Sequence, residues 1–114
     1  MAILCGVDIV YVPKIKRLIG KEATLQKFFH ATELGSIGSK SGSDAQHLAG
    51  IIAAKEAFFK ALGLVPKFNA VKVDYETSGR PKLIVSPEFR TYKDCDVSIS
   101  HDKDYAIAFV VMEK

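Results

Sequence analysis

The chain has 114 residues, of which 48% are hydrophobic and 25% are charged, and its formal net charge is +3. These values are typical of one compact domain with its own core, and they argue against a disordered chain. The small positive charge permits an anionic partner but does not identify one. We therefore expect residues 1–114 to form a single domain.

The cysteine content and the hydropathy pattern argue against several classes of protein. Cys5 and Cys95 do not define a disulfide framework, and the first apolar run is too short for a signal peptide. No apolar run reaches the length of a membrane span. The lack of a C-x-x-C pair and the presence of only three histidines argue against a zinc site. We expect a cytoplasmic protein with reduced thiols and no membrane association.

The first part of the chain is predicted to contain one strand and short helices. The segment Ala2–Val10 is apolar and rich in β-branched residues, which predicts a buried strand that ends near Asp8. A short amphipathic helix is expected over Lys14–Ile19, and Thr32 is a plausible N-cap for another helix. Residues 35–44 are rich in Gly and Ser and are predicted to form a flexible loop.

The segment Leu48–Leu62 is apolar on nearly every side and predicts a buried central helix, preceded by a cap at Ser43 or Asp44. Gly63 is expected to end this helix at its C-terminus. Small side chains on one face of the helix would let another group approach the backbone beside an acid and a base. The residues on that face are Ala49, Ala53, Glu56 and Lys60.

The second part of the chain is predicted to be mainly antiparallel β structure. Its expected elements are strands at Val71–Thr77 and Leu83–Val85 joined by a turn at 78–81, a short helix at Pro87–Lys93, an alternating strand at Val97–Ser100, a turn at His101–Asp104 and a nearly continuously buried strand at Tyr105–Met112. The order of a strand, then helices, then antiparallel strands predicts an α+β fold.

Three places carry side chains that are suited to chemistry. Asp8 follows an apolar strand, although such an aspartate alone most often caps a turn. Glu56 and Lys60 form an i, i+4 pair, and their apolar surroundings favour a function over simple helix stabilisation. Ser98 and Ser100 share one strand face next to His101. Nothing resembles a nucleophile elbow, so nucleophilic catalysis by serine is not favoured.

The carboxylates of Asp8 and Glu56 would together form a hard oxygen site. Mg²⁺ binds to such sites through one or two carboxylates, with waters and substrate phosphates as its other ligands. Lys60 lies one helical turn from Glu56 and could contact a phosphate oxygen, while histidine and hydroxyl groups could hold a second phosphate. The pattern indicates metal-assisted chemistry on a phosphate ester or anhydride. It contains no Walker A loop and no G-x-G-x-x-G motif.

Three motifs resemble, in this order, those of the small holo-acyl-carrier-protein synthases, a family of phosphopantetheinyl transferases. They read GVDIV at residues 6–10, AAKEAFFKALG at 53–63 and SISH at 98–101. Two further segments are similar to the family's F-T-x-x-E-L region and G-K-P turn, namely FHATEL at 29–34 and GRP at 79–81. The resemblance covers essentially the whole chain.

The resemblance implies transfer of 4′-phosphopantetheine from coenzyme A to a serine of apo-acyl carrier protein, with release of adenosine 3′,5′-bisphosphate. It implies that Asp8 and Glu56 bind Mg²⁺, that Lys60 contacts the phosphates, and that His101 completes the catalytic set at the coenzyme A end. Glu56, directly or through a metal-bound water, is the candidate general base. The residues expected to contact coenzyme A are Lys55, Lys60, Gly63, Gly79, Arg80, Pro81, Ser100 and His101.

The resemblance also implies a homotrimer with active sites between subunits, in which a neighbour would bury part of the apolar central helix. The acidic carrier protein is expected to dock on the helix that carries Lys14, Arg17 and Lys21. Without the resemblance, a solvated basic face explains these three residues equally well.

The chain departs from the family pattern at several positions. Ile51 stands where the family usually has an arginine, and we expect Lys55 or Arg80 to replace its phosphate contact in part. Further departures are Ile52, Tyr11 and the pair Leu64-Val65. One alternative therefore stays open, a non-catalytic module of the same fold that binds coenzyme A or a nucleotide. A nucleic-acid-binding domain is disfavoured, because no sheet face carries an aromatic and basic stripe.

Overall fold

The computed structural model describes residues 1–35 and 43–114. Its fold is α+β, as the sequence predicts, and the predicted loop at 35–44 falls mainly on residues outside that description. The elements are β1 (Ile3–Tyr11), α1 (Val12–Lys16), α2 (Glu22–Leu25), α3 (Ala31–Leu34), α4 (Asp44–Leu62), β2 (Val71–Tyr75), β3 (Pro81–Val85), β4 (Asp94–Asp102) and β5 (Tyr105–Glu113), with 3₁₀ turns at Phe68–Ala70 and Pro87–Phe89.

Two antiparallel sheets pack around α4. The larger sheet has the strand order β1-β5-β4, and the smaller one is the β2-β3 hairpin. Gly6 lets β1 lie directly on the helix, because a Cβ atom at this position would come within 2.7 Å of the Ala61 amide nitrogen and closer still to the Ala57 carbonyl oxygen. The backbone of β1 therefore contacts the backbone of α4, which fixes the residues next to Gly6 against the helix.

Helix α4 is the centre of the core, as predicted, and this chain alone covers most of its surface. Ala49, Ile51 and Ala53 have no exposed surface. Ala49 and Ala53 pack in the interior, so the chain itself covers this part of the helix face. A neighbouring subunit is not needed to cover this helix, because β1, β5, β4 and α1 of the same chain pack on it. Gly63 ends α4 in the left-handed conformation with φ 71°, as predicted.

Several predicted boundaries differ from the structure. Strand β1 continues past Asp8 to Tyr11, and His101 lies within β4 rather than in the turn, which begins after Asp102. Helix α1 is shorter than expected, because the chain leaves it after Lys16 and continues in turns. The N-cap of α3 is His30 instead of Thr32, and the carboxylate of Glu33 accepts a hydrogen bond from the His30 amide at 2.8 Å.

Burial in β1 and β5 alternates, so the prediction of a nearly continuously buried last strand is wrong for the isolated chain. The inner face of the large sheet packs on α4. The outer face of β1 and β5 leaves seven large apolar or aromatic side chains exposed, at Ile3, Val7, Ile9, Tyr11, Tyr105, Ile107 and Phe109. We call these residues the outer sheet face. Within the two described ranges, no helix is both long and apolar enough to cross a membrane.

Candidate active site

Asp8, Glu56 and Lys60 meet where β1 crosses α4. The inner face of β1 directs Asp8 toward the helix, and Glu56 and Lys60 lie one turn apart on α4. The Lys60 ammonium donates to the Val7 carbonyl at 2.9 Å and lies 3.4 Å from Asp8 Oδ1. The Asp8 side chain is 14% exposed and that of Lys60 is 57% exposed. This cluster is partly open to solvent and is the candidate catalytic centre.

The two carboxyl groups of the cluster act on each other. The pKa of Glu56 is raised to about 7, first by burial, then by a hydrogen bond to Asp8 and by the charge of Asp8. The nearby charges of Lys60 and Lys14 act in the opposite direction but do not cancel this rise. A carboxyl group with a pKa near neutrality can exchange a proton under physiological conditions. The distant acidic residues that the sequence singled out are therefore neighbours in the fold.

The cluster has a surplus of negative charge that a cation would satisfy. Asp8 Oδ2 is buried and, apart from the neighbouring Glu56 carboxyl group, has no hydrogen-bond partner within the described ranges. Two adjacent carboxylates suit Mg²⁺, which takes one or two protein carboxylates and fills its remaining positions with waters and phosphate oxygens. Residues 1–35 and 43–114 contain no group of three or more His, Cys, Asp or Glu side chains arranged to hold a metal ion.

A cavity of about 300 Å³ opens beside Glu56. Lys14 of α1 is the other charged residue in its lining, so the cavity connects the carboxylate cluster with the basic surface near α1. Its apolar walls come from β1, α1, α4 and the segment before α3. They are formed by Ile9, Val10, Tyr11, Ile15, Leu18, Phe28, Phe29 and Ile52.

Lys55 is in the interior of the protein and not in the cavity. Its side chain has no exposed surface, and its ammonium donates to Glu33 Oε1 and to the Phe28 carbonyl, each at 2.7 Å. Burial lowers the pKa of Lys55, whereas its hydrogen bond to Glu33 and the charge of Glu33 oppose this effect. This placement does not support the expectation that Lys55 contacts coenzyme A or replaces the family arginine.

The remaining predicted site residues lie at the other edge of the large sheet. Strand β5 lies between β1 and β4, and Asp8 of β1 aligns across it with Ile99 of β4. His101, two residues further along β4, is therefore separated from β1 by about two strand spacings, or roughly 10 Å. The imidazole Nε2 donates to the Gln46 carbonyl at 3.0 Å, and Gly50 leaves room for the ring. Ser100 faces outward from the same strand. Within one subunit, these residues do not join the carboxylate cluster.

The Gly79-Arg80-Pro81 turn also lies near β4. Gly79 has φ 90°, a conformation that favours glycine, and Pro81 starts β3. The Arg80 guanidinium forms an ion pair with Asp96 of β4 and lies 3.9 Å from Glu76. Any phosphate that binds to Arg80 therefore has to compete with Asp96. Gly63 lies at the far end of α4 from His101.

Sequence reasoning missed two features of this region. Lys14 was assigned to carrier docking alone, yet it lies close enough to Glu56 to affect its pKa and lines the cavity. Glu33 was seen only as part of a weak motif, although it is the buried partner of Lys55. The spacing of charged residues gave no signal for either contact.

Comparisons with known proteins identify the family. The family model for the 4′-phosphopantetheinyl transferase superfamily matches residues 4–110. The chain is 39% identical to a holo-[acyl-carrier-protein] synthase from Ehrlichia chaffeensis, over 94% of this chain and 93% of the relative. The chain belongs to the 4′-phosphopantetheinyl transferase superfamily and is a transferase, which confirms the expectation from its motifs.

Solved structures agree with this assignment. A coenzyme A complex of holo-[acyl-carrier-protein] synthase from Helicobacter pylori has a TM-score of 0.86 at 28% identity, covering 96% of this chain and 100% of that one. A holo-(acyl-carrier-protein) synthase from Bacillus anthracis, in complex with CoA (3',5'-ADP), has a TM-score of 0.83 at 30% identity, with 99% of both chains covered. The fold and its order of elements are those of this enzyme family.

Proposed function

We propose that the chain transfers 4′-phosphopantetheine from coenzyme A to a serine of apo-acyl carrier protein and releases adenosine 3′,5′-bisphosphate. The serine oxygen forms a new bond to the phosphorus next to pantetheine. The bond from that phosphorus to the bridging oxygen breaks, and this oxygen leaves with the bisphosphate. The observation that carries the proposal is the adjacent pair of Asp8 and Glu56, with a Glu56 pKa of about 7, beside Lys60.

Each residue of the cluster has a role in this reaction. Asp8 and Glu56 would hold Mg²⁺, which would neutralise negative charge on the diphosphate of coenzyme A. Lys60 is exposed enough to contact a phosphate oxygen and to stabilise the leaving bisphosphate. Glu56 accepts the serine proton, directly or through a water, because its carboxyl group lines the cavity beside Lys60 and Asp8.

Transfer can be separated from binding by mass. The purified chain is incubated with coenzyme A, Mg²⁺ and apo-acyl carrier protein, and the carrier protein is weighed by mass spectrometry. We expect the carrier to gain one phosphopantetheine group. Binding of coenzyme A with no gain in carrier mass would instead support the non-catalytic module. Ile51, the departure on which that alternative depends, has no exposed surface.

We further propose a homotrimer whose active sites lie between subunits. Two observations support it: the outer sheet face is a continuous exposed apolar surface, and His101, Ser100 and Arg80 lie at the opposite sheet edge from Asp8. A neighbouring subunit would cover the apolar face and bring its own coenzyme A residues to the cluster. Light scattering should give three times the chain mass of 12.5 kDa. Replacement of Ile107 by Glu should yield an inactive monomer, because Ile107 belongs to the outer sheet face and does not line the cavity. A fully active Ile107→Glu monomer would exclude shared sites.

Coenzyme A contacts at the β4 edge can be tested at Arg80. If Arg80 binds a phosphate of coenzyme A, the Arg80→Ala variant binds coenzyme A more weakly in calorimetry, and an unchanged affinity rules Arg80 out. The control is Lys82→Ala, since this exposed lysine lies two residues along β3, away from the turn.

The carrier protein is proposed to dock beside the cavity, in the cytoplasm. Lys14, Arg17 and Lys21 are exposed there, although only Lys14 belongs to α1 and the other two lie in and after the following turns. A basic surface of this kind attracts an acidic carrier. Reversing the charge of Arg17 should raise the KM for the carrier and leave the affinity for coenzyme A unchanged. An unchanged KM would remove Arg17 from the docking surface.

A further inference from the structure

The Lys55–Glu33 ion pair is the most completely buried charged group in the described part of the chain. The side chains are 0% and 1% exposed, respectively. A buried ion pair costs desolvation energy and often contributes no more stability than well-packed apolar residues of similar volume. Stability alone is therefore a weak explanation for it, and the groups that the pair holds in place become informative.

The Glu33 carboxylate connects three parts of the fold. Its Oε1 accepts hydrogen bonds from the Lys55 ammonium of α4 at 2.7 Å and from the His30 amide at 2.8 Å. Its Oε2 accepts from the Val73 amide of β2 at 2.8 Å. Lys55 adds a second connection, since it donates to the Phe28 carbonyl at 2.7 Å. The backbone is thus held on both sides of Phe29.

Phe28 and Phe29 form one wall of the cavity beside Glu56. The Lys55 ammonium lies 5.6 Å from the centre of the Phe29 ring, and the Phe28 ring packs edge-on against Phe68 at 4.9 Å. On α4, Lys55 directly precedes Glu56, which lines the same cavity. The ion pair therefore connects a cavity wall to the turn of helix that carries Glu56.

We propose that Lys55 and Glu33 are positioning residues for the transfer step. The pair fixes the distance between the Phe28–Phe29 wall and Glu56. This distance sets the path by which the acceptor serine reaches the Glu56 carboxylate. The inference rests on the transfer reaction proposed above. Neither residue touches the reacting atoms. The pair acts through the wall, so its loss changes the acceptor side of the reaction and leaves coenzyme A binding intact.

The test uses the double variant Glu33→Gln/Lys55→Met in the full-length chain. The change removes both charges together, so no unpaired charge stays in the core, and both new side chains are close in size to the originals. We expect a lower melting temperature, because the glutamine amide cannot accept from both the His30 and Val73 amides and the Phe28 carbonyl loses its donor. At temperatures where the variant is folded, we expect a coenzyme A Kd within about twofold of the wild-type value and kcat lowered by up to about 10²-fold, as a small misplacement of reacting groups can cause. The Met112→Ala variant is the control, because Met112 is buried at the far end of β5 and does not line the cavity. It should lower the melting temperature without lowering kcat at temperatures where it is folded.

Two results would overturn the inference. In the first, kcat and the carrier KM of the double variant stay within twofold of the wild type. In the second, coenzyme A affinity falls by the same factor as kcat. If the double variant does not fold, Lys55→Arg decides, because it keeps a positive charge beside Glu33 but changes the length of the connection to the wall. A several-fold fall in kcat at constant coenzyme A affinity is expected, and an unchanged kcat would count against the inference. Wild-type protein that transfers no phosphopantetheine would overturn the proposed function instead, so the two failures are distinguishable.

Discussion

Helix α4 carries two lysines, each paired with a carboxylate from another element, and their surroundings differ completely. Lys55 and Glu33 are fully buried, and each polar atom described there has a partner. Lys60 and Asp8 are partly exposed. Apart from the neighbouring Glu56 carboxyl group, Asp8 Oδ2 has no hydrogen-bond partner in the described ranges, and Glu56 itself has a pKa of about 7. Buried charged groups with all their hydrogen-bond partners in place fix the local structure of the core. Charged groups that lack partners at an opening are available to bind a ligand.

The largest expected effect is on catalysis at the open pair. Replacing Glu56 by Gln removes the proton acceptor and one of the two carboxylates proposed to hold Mg²⁺, so we expect transfer to fall by about 10²–10³-fold. The measurement is the initial rate of mass gain by the carrier protein. Glu88→Gln is the matched control, because Glu88 is exposed and lies beyond β3. A rate within tenfold of the wild type would show that Glu56 is not central to transfer.

The next effect separates the two lysines by stability. Lys55→Met alone leaves the Glu33 carboxylate buried without its lysine partner, and breaking a buried ion pair in this way typically costs about 3–5 kcal/mol of unfolding free energy. Urea denaturation measures this loss. Glu33→Gln added to Lys55→Met should recover part of the stability, because it removes the buried charge, although the glutamine accepts from only one of the His30 and Val73 amides. No recovery at all would mean that the buried charge is not the cause of the loss.

A smaller effect concerns pH and the open cluster. In the metal-free protein, the pKa of Glu56 is raised from its usual 4.5 to about 7. Between pH 4.5 and pH 7, Glu56 therefore keeps its proton in the folded state but loses it in the unfolded state. Stability therefore falls as pH rises from about 4.5 to about 7, and this contribution is constant above that range. After allowance for solvent screening, we expect roughly 1–2 kcal/mol.

Urea titrations of the wild type and of Glu56→Gln across this pH range isolate the contribution, since glutamine does not titrate. Equal pH slopes for the two proteins would contradict the assignment. Mg²⁺ should stabilise the wild type more at pH 8 than at pH 6, because the metal competes with the shared proton.

The smallest effect is the stability change at Lys60. Its side chain is 57% exposed, so Lys60→Met should change the unfolding free energy by no more than about 1 kcal/mol. The same substitution should weaken coenzyme A binding in calorimetry, since it removes the proposed phosphate contact. A loss of stability as large as that of Lys55→Met would remove the contrast between the two pairs.

The parts of the site that depend on local pattern could be predicted from the sequence. The apolar run around Glu56 predicts a buried helix, and the family motifs predict that Asp8 lies near it. The buried state of Lys55 could not be predicted, because helical spacing places Lys55 and Glu56 in different directions but does not say which one faces the core. Its partner Glu33 lies 22 residues earlier in the chain, with no local signal for the contact.

The β strands illustrate the same limit. Alternation and turn residues locate β2, β3 and β4 to within a few residues. The apolar sequence of β5 predicted burial on both faces, yet the described chain covers only one of them. An apolar sequence indicates that a surface is shielded from water, but it does not indicate whether the same chain or another copy covers that surface.

The close approach of β1 to α4 at Gly6 has a consequence for the whole site. Main-chain atoms, which have no rotamers to change, hold the strand and the helix at a fixed spacing, and Asp8 lies two residues from that point of contact. The backbone contact therefore fixes the distance between the carboxyl groups of Asp8 and Glu56. A single methyl group introduced at Gly6 would act as a wedge and move the two halves of the catalytic centre apart, without altering any side chain that takes part in the chemistry.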